Sequence, residues 1–401
     1  MSRLNQEQNE VLPDYVYFDV LQTNFKSTTT EPPIFTINET RNSPFIQLPE
    51  KYDLSILRFQ IDTGSIPLFI PSIETDQVDI NKTIYSVTLV DTDYPDQPQQ
   101  VFLNWVAQDQ SAPIPASPSN RTSKTQDNTK GYYNCYSYNW LCDLIYQALQ
   151  GALNNLASSI GVSNMIITGD LDNNGDNAVY PPLIYWDANS KSAIIQGQLG
   201  AYSETLSRKI QIFFNAPLFD LFNSLQSVYL GYEGVTFGRN NRIILADIGG
   251  INIQSVIPNY TNNITDDSEY IYKAITIQQE YSTQEQISPI ASLVFTSNTL
   301  PIQTNQTSNT IVFIDGIPVI KGTNASSENI ITDMVSSSGQ YRSGITYSPT
   351  AEFRRVHLYG NRPLSNLDIN IYYRLKNGEL IPFRMISGGK VSMKIGFLRK
   401  V

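Results

Sequence analysis

The chain reads as an all-β protein: a jelly-roll β-sandwich carrying a large mixed insertion with two short helices. Three observations predict this. Short runs of alternating apolar and polar residues recur along most of the length, punctuated by Gly, Pro, Asn and Asp. Only two stretches change to a helical period. The chain then closes on a regular strand pair, residues 367–401, and a sandwich must take such strands back into a sheet laid down earlier. A tandem double jelly roll is the competing arrangement.

In order along the chain, residues 1–31 are polar and run through Thr28, Thr29 and Thr30 to Pro32 and Pro33, so they read as an extended N-terminal arm. Residues 35–37 and 45–48 are short strand candidates. Residues 52–59 are dense in β-branched and aromatic side chains and lead to 65–71, whose prolines suit a strand end or an edge. In 83–90, Tyr85, Val87 and Leu89 share one face. Residues 95–131 contain Pro95, Pro98, Pro113, Pro115 and Pro118 and read as an exposed insertion or lid, interrupted only by 101–106.

From Ser137 the period becomes that of a helix. Trp140, Leu141, Leu144, Ile145, Ala148, Leu149, Ala152, Leu153 and Leu156 form one core-facing stripe, with Ser137 as the N-cap. A shorter helix follows Asn215, with Pro217 in its first turn and Leu218, Leu221, Phe222 and Leu225 apolar. Strands are expected at 210–214, 269–279, 293–295, 310–314 and 353–359. The strongest alternation lies in 32–90 and 287–401, assigned here to the jelly-roll core. Residues 91–286, holding both helices, are assigned to an insertion or outer domain.

In the closing pair, Leu367, Ile369, Ile371 and Tyr373 alternate with Asp368, Asn370, Tyr372 and Arg374, which puts the first set in the core and the second outward. Asn377-Gly378 predicts a tight hairpin turn with positive φ at both residues. Pro382 cannot donate to a central ladder and marks an edge or a bulge. Val391, Met393, Ile395 and Phe397 face the core again. Arg374, Lys394, Arg399 and Lys400 are left outside as interface candidates.

Charged residues are only 16% of the chain, and the net charge is −10. An acidic chain does not grip phosphates over its whole surface, so nucleic acid is expected only near the C-terminal face. That region carries Arg354, Arg355, Arg362, Arg374, Lys376, Arg384, Lys390, Lys394, Arg399 and Lys400 against Glu352, Asp368 and Glu379. Such polarity suits head-to-tail packing of identical subunits. Two cysteines, Cys135 and Cys142, cannot staple a fold of 401 residues, so a reducing site of synthesis is expected. The N-terminus lacks the basic and apolar regions of a signal peptide, and no apolar run reaches the roughly 18 residues of a membrane span.

Chemistry is sparse. The single histidine, His357, lies inside a strand and is expected to be structural or superficial. No nucleophile elbow, Walker loop or dinucleotide fingerprint occurs, so no enzyme and no cofactor are expected. Asp170, Asp172 and Asn174 occupy the first, third and fifth positions of a calcium loop, with Asp176 close behind. Pro181 stands where the bidentate Glu belongs, so a β-turn is the expected reading and the segment is only a weak calcium candidate. Tyr132, Tyr133, Tyr136 and Tyr138 are candidate stacking platforms for a glycan or receptor, or else core.

Four stretches resemble the penton and minor capsid proteins of virophages, Polinton-like viruses and adenovirus-related double-stranded DNA viruses. They are YDLSILRFQIDTGSIPLFIPSI (52–73), GYYNCYSYNW (131–140), ISPIASLVFTSNTLPI (287–302) and residues 351–400, with a closing DINIYY…GELIPF ahead of a final KIGF strand. The resemblance implies a single jelly roll, a homopentamer at icosahedral vertices, and neighbours among the major capsid proteins. It implies a virion location after synthesis in host cytoplasm or a virus factory, and allows contact with a host-cell receptor. A single jelly roll takes only ~180 residues, so about 200 must lie in insertions or a second domain.

Overall fold

The computed structural model describes residues 12–400 apart from 26–32, 63, 65, 121–124, 166–178, 232–237, 257–271, 304, 307–309, 315–316, 322–326, 336–344 and 348–353. Two compact units divide the chain, Met1–Ile66 with Ile290–Val401 and Pro67–Pro289, called the outer and the inner unit for their order along the sequence alone. In chain order the outer unit begins with β1 (Tyr15–Thr23), β2 (Thr36–Thr40) and β3 (Tyr52–Ile61). The inner unit follows with β4 (Lys82–Asp91), β5 (Gln99–Asn104), α1 (Tyr138–Ile160), β6 (Leu183–Asp187), β7 (Ser192–Gln198) and β8 (Ile210–Phe214). It continues with α2 (Ala216–Leu221), β9 (Ser227–Tyr229), β10 (Asn241–Ile243), β11 (Ile253–Val256) and β12 (Tyr272–Gln278). The outer unit then resumes with β13 (Ile290–Thr296), β14 (Ile330–Met334), β15 (Ile345–Tyr347), β16 (Asn366–Leu375) and β17 (Lys390–Arg399).

Pairing in the outer unit is nested. Its first strand pairs with its last, β1 with β17 from Tyr15↔Leu398 to Thr23↔Lys390. The second pairs with the seventh, β2 with β16, and the third with the sixth, β3 with β15. Of the eight strands labelled in this unit the fourth and fifth, β13 and β14, pair with each other, and between them along the chain Asn305–Gln306 pairs with Ser327–Glu328 and Thr310–Ile314 with Ile317–Lys321. Further pairing of β17 with β3 and of β16 with β13 rolls this long ribbon into two antiparallel sheets, β1-β17-β3-β15 and β14-β13-β16-β2. Eight strands nested in this way are a jelly roll, with the inner unit inserted between its third and fourth strands.

Alternation explains which side chains fill the roll. Leu367, Ile369, Ile371 and Tyr373 on β16, and Val391, Met393, Ile395 and Phe397 on β17, are all buried. Phe59 of β3 meets Phe295 of β13 edge-on at 4.9 Å, an aromatic contact bridging the two sheets. Among the described residues the short segment Leu380–Pro382 pairs with β16 alone, so Pro382 sits on an edge, where its missing N–H leaves no gap in a ladder. The Asn377-Gly378 turn differs from expectation. Gly378 alone takes positive φ, at 85°, and its N–H closes the turn on Leu375 O at 2.8 Å. Leu375 and Glu379 then share a bond at 2.9 Å, so the hairpin is a longer turn with glycine at the left-handed position.

Three expectations need correction. The N-terminal stretch is not wholly an arm, because residues 15–23 form the first strand of the roll. Phe18 is buried against Phe45 and Phe397 on the inward face, while Tyr15, Tyr17 and Leu21 make the outward face apolar too, which erases the alternation that marks a strand. Second, Lys82–Asp91 belongs to the inner unit, where β4 lies between β5 and β8. Third, Asp368 on the expected outward face is buried.

In the inner unit the sheets run β5-β4-β8-β10-β9 and β11-β12-β7-β6. This order does not repeat the nested pattern, so among the described residues the roll has no tandem copy. Helix α1 packs on β4, β5 and β6 through Leu141, Leu144, Ile145, Ala148, Leu149, Ala152, Leu153 and Leu156. Ser137 Oγ accepts from Trp140 N at 3.4 Å, and Asn215 Oδ1 accepts from Leu218 N at 3.2 Å, so both helices start at the capping residues that local chemistry favours. Arg208 grips the buried Asp91 carboxylate through Nε and Nη2 and also donates to Asn164 O. One side chain thus ties the end of β4 to the turn after α1.

Candidate assembly face

The C-terminal strand β17 lies between β1 and β3, so its outward side chains form the centre of one face of the roll. On that face Tyr15 and Tyr17 of β1 stack with ring centroids 5.9 Å apart. Beside them Gly396 leaves room for Leu57, since a Cβ at 396 would come within 2.8 Å of Leu57 Cδ1. A charged row follows: Asp19 lies 3.6 Å from Arg58 and 3.9 Å from Lys394. Lys394 Nζ also sits 5.0 Å from the Tyr17 ring centroid. Leu21, 72% exposed, lies beyond that row.

At the end of this face near the C-terminus, Arg399 reaches Asp14 at 3.7 Å. Lys400 donates to Glu50 O at 2.9 Å and Leu358 O at 3.2 Å and stands 3.8 Å from Asp53. The same Asp53 oxygen is 2.5 Å from Nδ1 of His357, whose ring is 61% exposed. His357 thereby ties the short strand Val356–His357 to β3. Arg374 is half-buried on β16, in the other sheet. Of the four sequence candidates, the structure therefore brings Lys394, Arg399 and Lys400 onto one strand and its end, each already near a carboxylate of its own chain. Arg374 is apart.

Asp368 carries the feature that periodicity misses. Its carboxylate accepts from Ser297 Oγ at 2.6 Å, Asn298 N at 2.8 Å, Thr299 N at 3.0 Å and Thr299 Oγ1. Burial pushes its acidity one way, and these four donors outweigh it, holding the carboxyl below the usual Asp range. The group is a clamp on the loop leaving β13. A Ser-x-Thr just past a strand end was the available signal, but nothing local tied it to a residue 70 positions on.

The remaining candidates fall elsewhere. Asp170, Asp172, Asn174 and Asp176 lie outside the described residues. Among the described residues no group of three or more His, Cys, Asp and Glu side chains is placed to hold a metal ion. Tyr133 and Tyr138 are buried, and Tyr133 Oη donates to Ile80 O at 2.9 Å, so these two rings serve the inner core and not a stacking platform. Cys135 and Cys142 are buried free thiols; burial pushes Cys135 up to about 11 and raises Cys142 further. Charge divides unevenly between the units. The inner unit has 22 Asp and Glu against 10 Lys and Arg, a net −12, and the outer unit 15 against 17, a net +2.

A nested eight-strand jelly roll is an architecture that viral capsid proteins share with lectin domains and cupins. The model of the Sputnik minor capsid protein V18/19 family matches residues 16–399, and the chain belongs to that family. Structural protein V19 of Sputnik virophage is 24% identical over 222 residues, covering 54% of this chain and 93% of that protein. The Sputnik virophage protein V18 is 35% identical over 156 residues, 37% of this chain and 88% of that protein. A chain of the Sputnik virophage cryo-EM structure superimposes with a TM-score of 0.75 at 24% identity, covering 97% of this chain and 99% of that one. The mavirus penton protein crystal structure gives a TM-score of 0.57 at 15% identity, over 97% and 100%. The protein is a viral structural protein of the minor capsid kind.

Proposed function

We propose that the chain assembles as a homopentamer at the vertices of an icosahedral shell, seated among major capsid proteins and available there to a host-cell receptor. The observation that carries this is a complete jelly roll closed by its own last strand within a chain that matches a minor capsid family over 16–399. A cyclic ring needs two different faces that fit each other, and a roll with two unlike sheets supplies them. The reading is not enzymatic. The one histidine braces a strand through Asp53, so His357→Ala should leave assembly unchanged.

Negative-stain imaging and mass photometry of the purified protein test the reading. Closed rings, five-fold in projection, are expected. A particle that stays monomeric from nanomolar to high micromolar concentration would overturn it.

A further inference from the structure

We infer that the outward face of β1, β17 and β3 is the surface on which a second copy of this chain docks. The inference rests on the assembly reading above and names the partner surface within it. Four observations converge there. Tyr15, Tyr17 and Leu21 are 59%, 49% and 72% exposed, and all three project from one side of a single strand. That strand is the edge of its sheet: among the described residues β1 pairs with β17 alone, so the other side of a nine-residue strand carries unpaired main-chain groups. Sheet edges of this length are ordinarily blunted by Pro, Lys or a bulge; YVYFDVLQT has no Pro and no Lys, and its ladder to β17 runs without a register shift.

The charged row names the occupant. Lys394 lies between Asp19 and Arg58 across the sheet, so the patch carries both signs, one carboxylate and two bases. A polyanion would call for a uniformly basic face. A copy of the same chain, which offers both signs itself, fits a mixed one. The contact sets the apolar Tyr15, Tyr17 and Leu21 of the edge strand beside that row, and copies of net charge −10 repel at long range. Screening that repulsion with salt therefore strengthens the contact.

The test uses the full-length protein and three variants, Leu21→Glu, Tyr15→Glu and Tyr17→Arg, compared by mass photometry at about 50 and 500 mM salt. Far-UV circular dichroism checks the fold. Leu21→Glu, at the most exposed of the three positions, decides the matter if a tyrosine variant fails to fold. Support is a rise of tenfold or more in the concentration needed for half-assembly with an unchanged spectrum, and wild-type assembly that holds or strengthens in high salt. Variants that assemble like the wild type overturn this face while leaving the shell reading intact. A wild type that never assembles overturns both. Assembly dissolved by salt, or Leu21→Glu abolishing binding of a double-stranded DNA fragment while rings persist, assigns the face to another occupant and overturns the inference.

Discussion

Replacing Asp368 by Asn removes one charge and one acceptor from a buried site while leaving its volume almost unchanged. Oδ1 receives Ser297 Oγ, Thr299 N and Thr299 Oγ1, and Oδ2 receives Asn298 N. An amide can keep its oxygen toward the first three donors only by turning its NH2 group against the Asn298 N–H. That loses one charge-assisted bond and leaves a buried donor facing a donor, a cost of about 2–3 kcal/mol; Asp368→Ala strands all four donors and costs about 3–5 kcal/mol. All three tryptophans, Trp105, Trp140 and Trp186, lie in the inner unit, so their fluorescence serves as an internal reference. Urea unfolding followed by far-UV circular dichroism should show the outer unit destabilised at pH 7, with the fluorescence transition moved less. The folded carboxyl is held below its ordinary value. Its contribution is therefore complete above the unfolded value of about 3.9 and is lost as pH falls through the lower folded value. The gap between wild type and Asp368→Asn should accordingly close in strong acid. An Asp368→Asn protein within about 0.5 kcal/mol of wild type at pH 7, or a gap that widens on acidification, would refute the clamp.

Other expectations follow from single contacts. Arg208→Met strands the Asp91 carboxylate, which is 1% exposed, and should cost about 3 kcal/mol, seen first in the tryptophan transition because the pair lies in the inner unit. Phe59→Ala removes a fully buried ring from between the sheets of the roll and should cost about 3–5 kcal/mol, moving the circular dichroism transition first. Cys135 and Cys142 should stay unreactive toward a thiol reagent at pH 8 in the native protein and react at once in denaturant, since both are buried and burial disfavours the thiolate.

What the sequence discloses depends on whether the cause is local. Ser137 and Asn215 are visible as caps because their partners are three residues away. The inward rows of β16 and β17 are visible because a period of two is written within each strand. β1 escapes because its outward residues Tyr15, Tyr17 and Leu21 are as apolar as its inward ones. The allegiance of β4 escapes because alternation shows that a strand has a buried face and says nothing of which strand lies beside it. The same holds for the candidate face. Lys394, Arg399 and Lys400 announce a basic terminus, but Asp19, Asp14 and Asp53 reach them only through β1 and β3, hundreds of residues earlier. Asp368 reads as a surface residue until the loop folded over it is known.

The nested order also sets a timetable. Strand β17 is hydrogen-bonded to both β1 and β3, the contact Phe59↔Met393 joining residues far apart in the chain. On the ribosome the first three strands therefore wait without their partners while the contiguous inner unit emerges and can collapse on its own residues. Only when Lys390–Arg399 is released does the first sheet gain its centre. Tyr17 comes to lie beside Gly396 and Tyr15 beside Leu398 at that moment and not before. On the docking role proposed for that face, a half-made chain lacks the surface, and a copy gains it in the same step that seats β17.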